Sequence, residues 1–329
     1  MVSGFFTSLE TLILYYNSKK SKAFKSLSNF AISTTYLRHP EEDPVSRAKQ
    51  SLMAFSEAER SRLMKIVFHH VSEKKGIQNA AEVPIDEFVK PLYDFQEFIP
   101  CPRCFDYSHY EHRSSVHYGE PCITAELETI DDASSDINWD DLLDQNEKIV
   151  FVTAGSQVLD YEERALRLFM AMMSAMQSAD MNGYHLILCV GSTLIQNEWD
   201  DYDNVTVCGW APQRKILSAL AEKKHKGSCA VIHGGLATIK ECIYFNVPFL
   251  VLPLGKDQMD NALRLEDCGI KNRFFIEYIK PKCLLYFINQ ALQDYVSLNN
   301  LEKLSKIFQT EETMHTAAKA IADLAKTDL

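Results

Sequence analysis

The stretch CAVIHGGLATIKE, residues 229–241, joins a short apolar β-type run to the opening of a helix through two glycines. Cys229–His233 reads as a buried strand, and the helix starts at Leu236. Gly234 and Gly235 let the backbone approach a ligand closely and leave the helix N-terminus facing an anion. Thr238 adds a hydroxyl, and His233 can donate a charge-assisted hydrogen bond to a diphosphate. Glu241 lies one turn further in. A carboxylate there repels phosphate, so its natural partner is a diol such as a ribose. Each residue also has an ordinary structural explanation: a packing turn, a core histidine, and an acid that complements the helix dipole.

The same rhythm runs outward on both sides. KIVFVT (148–153) and YHLILCV (184–190) precede the stretch, with a helical segment at Tyr161–Ser178 between them. Val205–Cys208 follows, then a helix after Pro212. Beyond residue 241 come Pro248–Leu252 and a helical run at Gln258–Cys268. Short apolar strands alternating with helices predict a parallel sheet covered on both faces, an α/β domain of Rossmann-like type. In such sheets ligands sit beyond the carboxyl ends of the strands. Polar and glycine-rich segments do follow each strand. Ala154-Gly155-Ser156 and Gly191-Ser192 are small-residue turns of the kind that approach phosphates. Gly209-Trp210-Ala211-Pro212-Gln213 places an indole at a strand end, where it either stacks on a base or lies under the next helix. Asp257 and Gln258, at a helix start, suit sugar hydroxyls or serve as a cap with a polar first turn.

In order, these pieces read GWAPQ, HGGxxTxxE and VPxxxxPxxxDQxxNA, a pattern that resembles the donor-binding signature of family 1 glycosyltransferases of the GT-B type, the UDP-glycosyltransferases. The resemblance covers about Lys148 to Leu329 and, more weakly, residues from about Pro40. It implies that Trp210 stacks on the base while Ala211 meets its edge through the backbone. Gln213 and Glu241 would hold the ribose. His233, Thr238 and the N–H groups from Gly235 through Ala237 to Thr238 would bind the diphosphate with Ser156, and Asp257 and Gln258 would read the sugar. Ala237 departs from the glycine of many bacterial relatives. The reaction implied is inverting transfer of a hexose from a UDP-sugar, or a similar donor, to a hydroxyl of a small or lipophilic acceptor. It needs no metal and no cofactor beyond the nucleotide sugar as co-substrate, because His233 and a helix N-terminus support departure of the nucleotide.

The remainder of the chain reads differently. Residues 1–123 give helical patterns such as Pro44–Glu73, and strand–helix alternation is hard to find. Residues 124–147 hold nine carboxylates and no Lys or Arg, which reads as an acidic linker with one short helix at Trp139–Leu143. The domains expected are therefore a partial acceptor domain over 1–123, the linker, and a donor domain over 148–329, with a last helix near Glu311–Lys326 returning to the N-terminal half. VHYGEPCI (116–123) is similar to the family's segment leading into its linker. The family's opening strand and loop, which carry the catalytic-base histidine, have no match, so the N-terminal domain is expected to be shortened and rich in helix. His39, His69, His70, His109, His112 and His117 stand in no such setting, and the base is left unassigned. A donor-binding subunit that borrows an acceptor domain from a partner protein is the alternative, and a sugar-nucleotide epimerase a weaker one.

The formal charge of −11 argues against nucleic acid as a partner. The nine cysteines are scattered, as in a reducing compartment, and with no apolar run long enough to span a membrane the cytoplasm is expected, peripheral to a membrane if the acceptor is a lipid. Cys101-Pro-Arg-Cys104 near His109, His112, His117 and Cys122 invites a zinc reading, but two cysteines ending a strand is the plainer one. Asp200, Asp201 and Asp203 read as a solvated loop rather than a metal motif.

Overall fold

The computed structural model describes residues 30–32, 96–108, 116–123, 137–196, 199, 202–255 and 258–327. The Pro44–Glu73 pattern, residues 124–136 of the acidic stretch, and His39, His69, His70, His109 and His112 lie outside the described residues. The chain divides into two compact units, one of 1–122 with 310–329 and one of 123–309.

In the first unit three short strands, β1 (Phe30–Ile32), β2 (Gln96–Ile99) and β3 (Val116–Tyr118), pair in parallel in that order. Strands of three residues are too brief to show a period of two, which is why the sequence hid β1 and β3, whereas β2 ends just before Cys101, where a strand end was expected.

The second unit begins with helix α1 (Trp139–Gln145), which Asn138 caps by accepting from the Asp141 N–H. Five strands follow: β4 (Lys148–Thr153), β5 (Tyr184–Cys189), β6 (Val205–Cys208), β7 (Cys229–Ile232) and β8 (Phe249–Val251). They form one parallel sheet in the order β6-β5-β4-β7-β8. The chain builds outward from β4 to β6, then crosses to the other side of β4 at β7. That reversal opens a crevice between the carboxyl ends of β4 and β7.

Helices cover both faces, so every residue of Ile149–Thr153 is buried rather than every second one. On one face Val150, Val152, Leu186, Leu188 and Val231 pack with Leu168, Phe169 and Met172 of α2 (Glu162–Met176). The other face carries α3 (Gln213–Lys223), with Ile216, Leu217 and Leu220 buried, and α4 (Leu236–Phe245), with Ile239, Cys242 and Ile243 buried. Each such aliphatic side chain contributes about 1.5–3 kcal/mol when fully buried. Helix α4 ends where Asn246 turns left-handed (φ 57°) and returns its N–H to the carbonyls of Cys242 and Ile243. Helix α5 (Gln258–Asp267) follows β8, and its Asp260 and Arg264 form a fully buried ion pair one turn apart.

Beyond β8 the chain runs back along the sheet. The Val251 N–H donates to the Asn272 carbonyl at 2.9 Å, the Phe274 N–H donates to the Val251 carbonyl at 2.9 Å, and Asn272 Nδ2 reaches the Phe249 carbonyl at 2.7 Å. Helix α6 (Pro281–Gln293) then packs its Leu284, Leu285 and Ile288 into the same core as α2.

Helix α7 (Tyr295–Glu312) is followed by α8 (Thr316–Thr327). His315 adopts φ 51°, so the last helix starts five residues later than the sequence suggests. In the first unit α8 packs against β3, and the Glu120 carboxylate accepts the Ala317 N–H at 2.8 Å. Gly119 admits this approach, since a Cβ there would stand 2.6 Å from that of Ala317. Among the described residues no helix is long and apolar enough to cross a membrane.

Candidate functional site

The crevice at the chain reversal is built around His233, which follows β7 and is 7% exposed. Two glycines close on its ring. A Cβ on Gly155, after β4, would lie 2.5 Å from Cε1 and 2.6 Å from Nε2, and one on Gly235 would come closer still to Nε2. Gly155 takes φ 78°, a conformation that glycine alone adopts without strain. Tyr161 stacks near the imidazole, with ring centroids 6.4 Å apart, and its hydroxyl donates to the Ala154 carbonyl at 2.8 Å. The loop after β4 is thereby pinned at both ends of its turn, and Ser156 is held at the surface.

Gly235 is the N-cap of α4 and offers no side chain to its first turn. The first helical bond runs from the Ile239 N–H to the Gly235 carbonyl. The N–H groups of Leu236, Ala237 and Thr238 therefore point out of the helix end, where their partial positive charge gathers. No acid stands in this first turn, Ala237 is exposed, and Thr238 is buried. Gly234, with φ 92°, passes under Val251 and the Gln258 backbone, and Asn261 Nδ2 holds its carbonyl at 3.1 Å.

A second cluster joins α3 to α4. Gln213 Nε2 reaches Thr238 Oγ1 at 3.4 Å and bonds one carboxylate oxygen of Glu241, while Arg214 Nε holds the other at 3.2 Å. Trp210, three residues before Gln213, leaves the end of β6 with 57% of its surface exposed, and Ala211 is buried. The indole is thus not a core residue under α3.

The structure therefore brings Gly235, Ala237, Thr238, His233 and the turn holding Ser156 to the ends of β4 and β7. It joins Gln213 and Glu241 directly and sets Trp210 and Ala211 beside them in sequence. Gln258 faces inward: it is 2% exposed, and its Oε1 accepts the N–H groups of Leu254 and Gly255 at 2.7 and 2.9 Å. Asp257 lies outside the described residues. Cys189 and Cys208 end β5 and β6 as register partners. The hydrogen bond from Cys208 lowers the Cys189 thiol, with help from Gly191, Thr153 and Ala211, and raises Cys208 in turn. Among the described residues no group of three or more His, Cys, Asp or Glu could hold a metal ion. Asp200 and Asp201 are outside them, and His117 lies in β3, half-buried.

The family model for UDP-glucoronosyl and UDP-glucosyl transferases matches residues 146–320, more than half of the chain and the whole of this crevice. The chain belongs to that family. Similar to it is a UDP-glycosyltransferase of Talaromyces amestolkiae, 25% identical over 147 residues, which cover 39% of this chain and 27% of the relative. The chain thus spans well under two thirds of that relative. Among solved structures, the glycotransferase of kitacinnamycin aligns over 90% of this chain and 70% of its own, with a TM-score of 0.65 at 19% identity. UDP-glucose: anthocyanidin 3-O-glucosyltransferase in complex with UDP aligns over 71% and 54%, with a TM-score of 0.52 at 16% identity. The fold is the GT-B type α/β expected.

Several side chains around this crevice escaped the sequence reading. Tyr161 reaches His233 only through the 3-10 turn at Val158–Tyr161, and Arg214 meets an acid 27 positions away. Asn261 stood in the quoted DQxxNA pattern, which was the available signal for it.

Proposed function

We propose that the 123–309 unit binds the UDP moiety of a nucleotide sugar at the crevice between β4 and β7, and that the chain transfers the sugar to a hydroxyl of a small or lipophilic acceptor. The observation that carries this is the uncapped N-terminus of α4 set against the glycine-clamped His233. In the reaction the acceptor oxygen bonds to the anomeric carbon from the face opposite the diphosphate, the carbon–phosphate-oxygen bond breaks, and configuration inverts. Negative charge develops on the departing UDP, to whose oxygens the α4 N–H groups and the His233 imidazole can donate hydrogen bonds, with no acid in the first turn of α4 to compete for them. Departure of UDP on these groups needs no metal. The acceptor proton requires a base, which no described residue supplies in a recognisable setting.

A second reading has an observation of its own. Every described site group lies in 123–309, which fits a donor-binding subunit that turns over only with a partner protein. Incubating the purified chain with UDP-sugars and a panel of phenolic and lipid alcohols separates the two. Product formed by the chain alone supports transfer. UDP binding without product supports the subunit, interconversion of sugars an epimerase, and absence of UDP binding sinks all three.

A further inference from the structure

Arg214 sits in the first turn of α3, where the helix dipole disfavours a cation. Its neighbour Lys215 has the same handicap and meets Asp140, 77% exposed, at the surface. Arg214 instead turns to Glu241, and both side chains are largely covered, at 21% and 13% exposure. Gln213 takes the second carboxylate oxygen, so Glu241 is held from both sides.

Glu241 follows the first residue of α4 by five positions, about 7.5 Å of helix rise. An uncompensated carboxylate at that depth, in partly dry surroundings, would oppose a diphosphate resting on the helix tip. We propose that Arg214 is a positioning residue for the nucleotide. Its guanidinium cancels the charge of Glu241 and fixes the carboxylate, so that one helix receives both the ribose diol and the diphosphate anion. Arg214 acts through Glu241 and touches no reacting atom. This rests on the UDP-binding function proposed above and adds the means by which an acid is tolerated beside an anion site.

The test is calorimetric titration of the whole chain with UDP and with uridine, which lacks the phosphates. R214Q should weaken UDP binding by about tenfold and uridine binding by less than about threefold, because charge opposition falls on the phosphates. In an E241Q background the guanidinium has no carboxylate left to fix, so R214Q should weaken UDP binding clearly less than it does in the parent background. R214K keeps the charge without the planar fork and should recover most of the UDP affinity. It also keeps the proposal falsifiable should R214Q fold poorly: R214K binding UDP as weakly as R214Q would overturn charge cancellation. R214Q matching the parent would overturn it as well, and an equal loss in the E241Q background would overturn the action of Arg214 through Glu241. A parent chain that binds neither UDP nor uridine overturns the functional reading itself, and this inference with it.

Discussion

Gly155 and Gly235 approach the same imidazole but differ in their backbones: Gly155 takes φ 78°, whereas Gly235 sits at an ordinary −63°. Alanine at 155 therefore meets two penalties, about 1–2 kcal/mol for the left-handed conformation and the displacement of His233. Alanine at 235 meets the second alone. Thermal melts should show Gly155→Ala lowering the melting temperature more than Gly235→Ala, while both variants lose turnover as the ring is pushed aside. Equal activity of Gly235→Ala and parent would show that His233 can move without consequence. Trp210 stands exposed at the end of β6, so Trp210→Ala should leave stability nearly unchanged. UDP affinity should fall by roughly 1–3 kcal/mol, the worth of one aromatic stacking platform. An unaltered dissociation constant would remove the indole from the site.

Elements were legible in the sequence where their residues are apolar and continuous. KIVFVT, YHLILC and CAVI became β4, β5 and β7 within a residue of the expected bounds, because burial on both faces leaves no polar position to blur the run. The residues after each strand were legible for a topological reason, since parallel strands deliver all their carboxyl ends to one edge. Side-chain direction was not legible. Nothing in DQxxNA tells that Gln258 turns inward to hold Leu254 and Gly255, because that depends on how the loop before α5 closes. Strand β5 also carries a titrating residue. His185 Nε2 lies 2.8 Å from Thr206 Oγ1 on β6, and burial holds its pKa below the usual 6.5. The folded chain then takes up a proton less readily than the unfolded one, so stability is lost as pH falls below about 6.5. His185→Gln removes that pH dependence. The gap in melting temperature between variant and parent should shift in the variant's favour from pH 7 to pH 5, and a gap independent of pH would refute the assignment.

At the scale of the whole molecule, the last residues of the chain complete the first unit rather than the second. Glu120 is the hinge pin of that closure, its carboxylate placed on the Ala317 N–H in the first turn of α8. Glu120→Ala should cost about 1 kcal/mol of stability, as loss of a helix-cap acceptor does. Because Glu120 belongs to the first unit, UDP affinity should stay that of the parent; a large loss would mean that the nucleotide site depends on more than 123–309.

The backtracking segment beyond β8 has a consequence for how the protein behaves in company. With Val251 bonded to Asn272 and Phe274, and the Phe249 carbonyl taken by Asn272, the outer ladder of the five-stranded sheet offers little to a passing chain. Exposed ladders invite stray strands to dock and fibrils to seed. On this flank the polypeptide has tucked in its own hem, so crowding should drive association through side chains rather than by lengthening the sheet there.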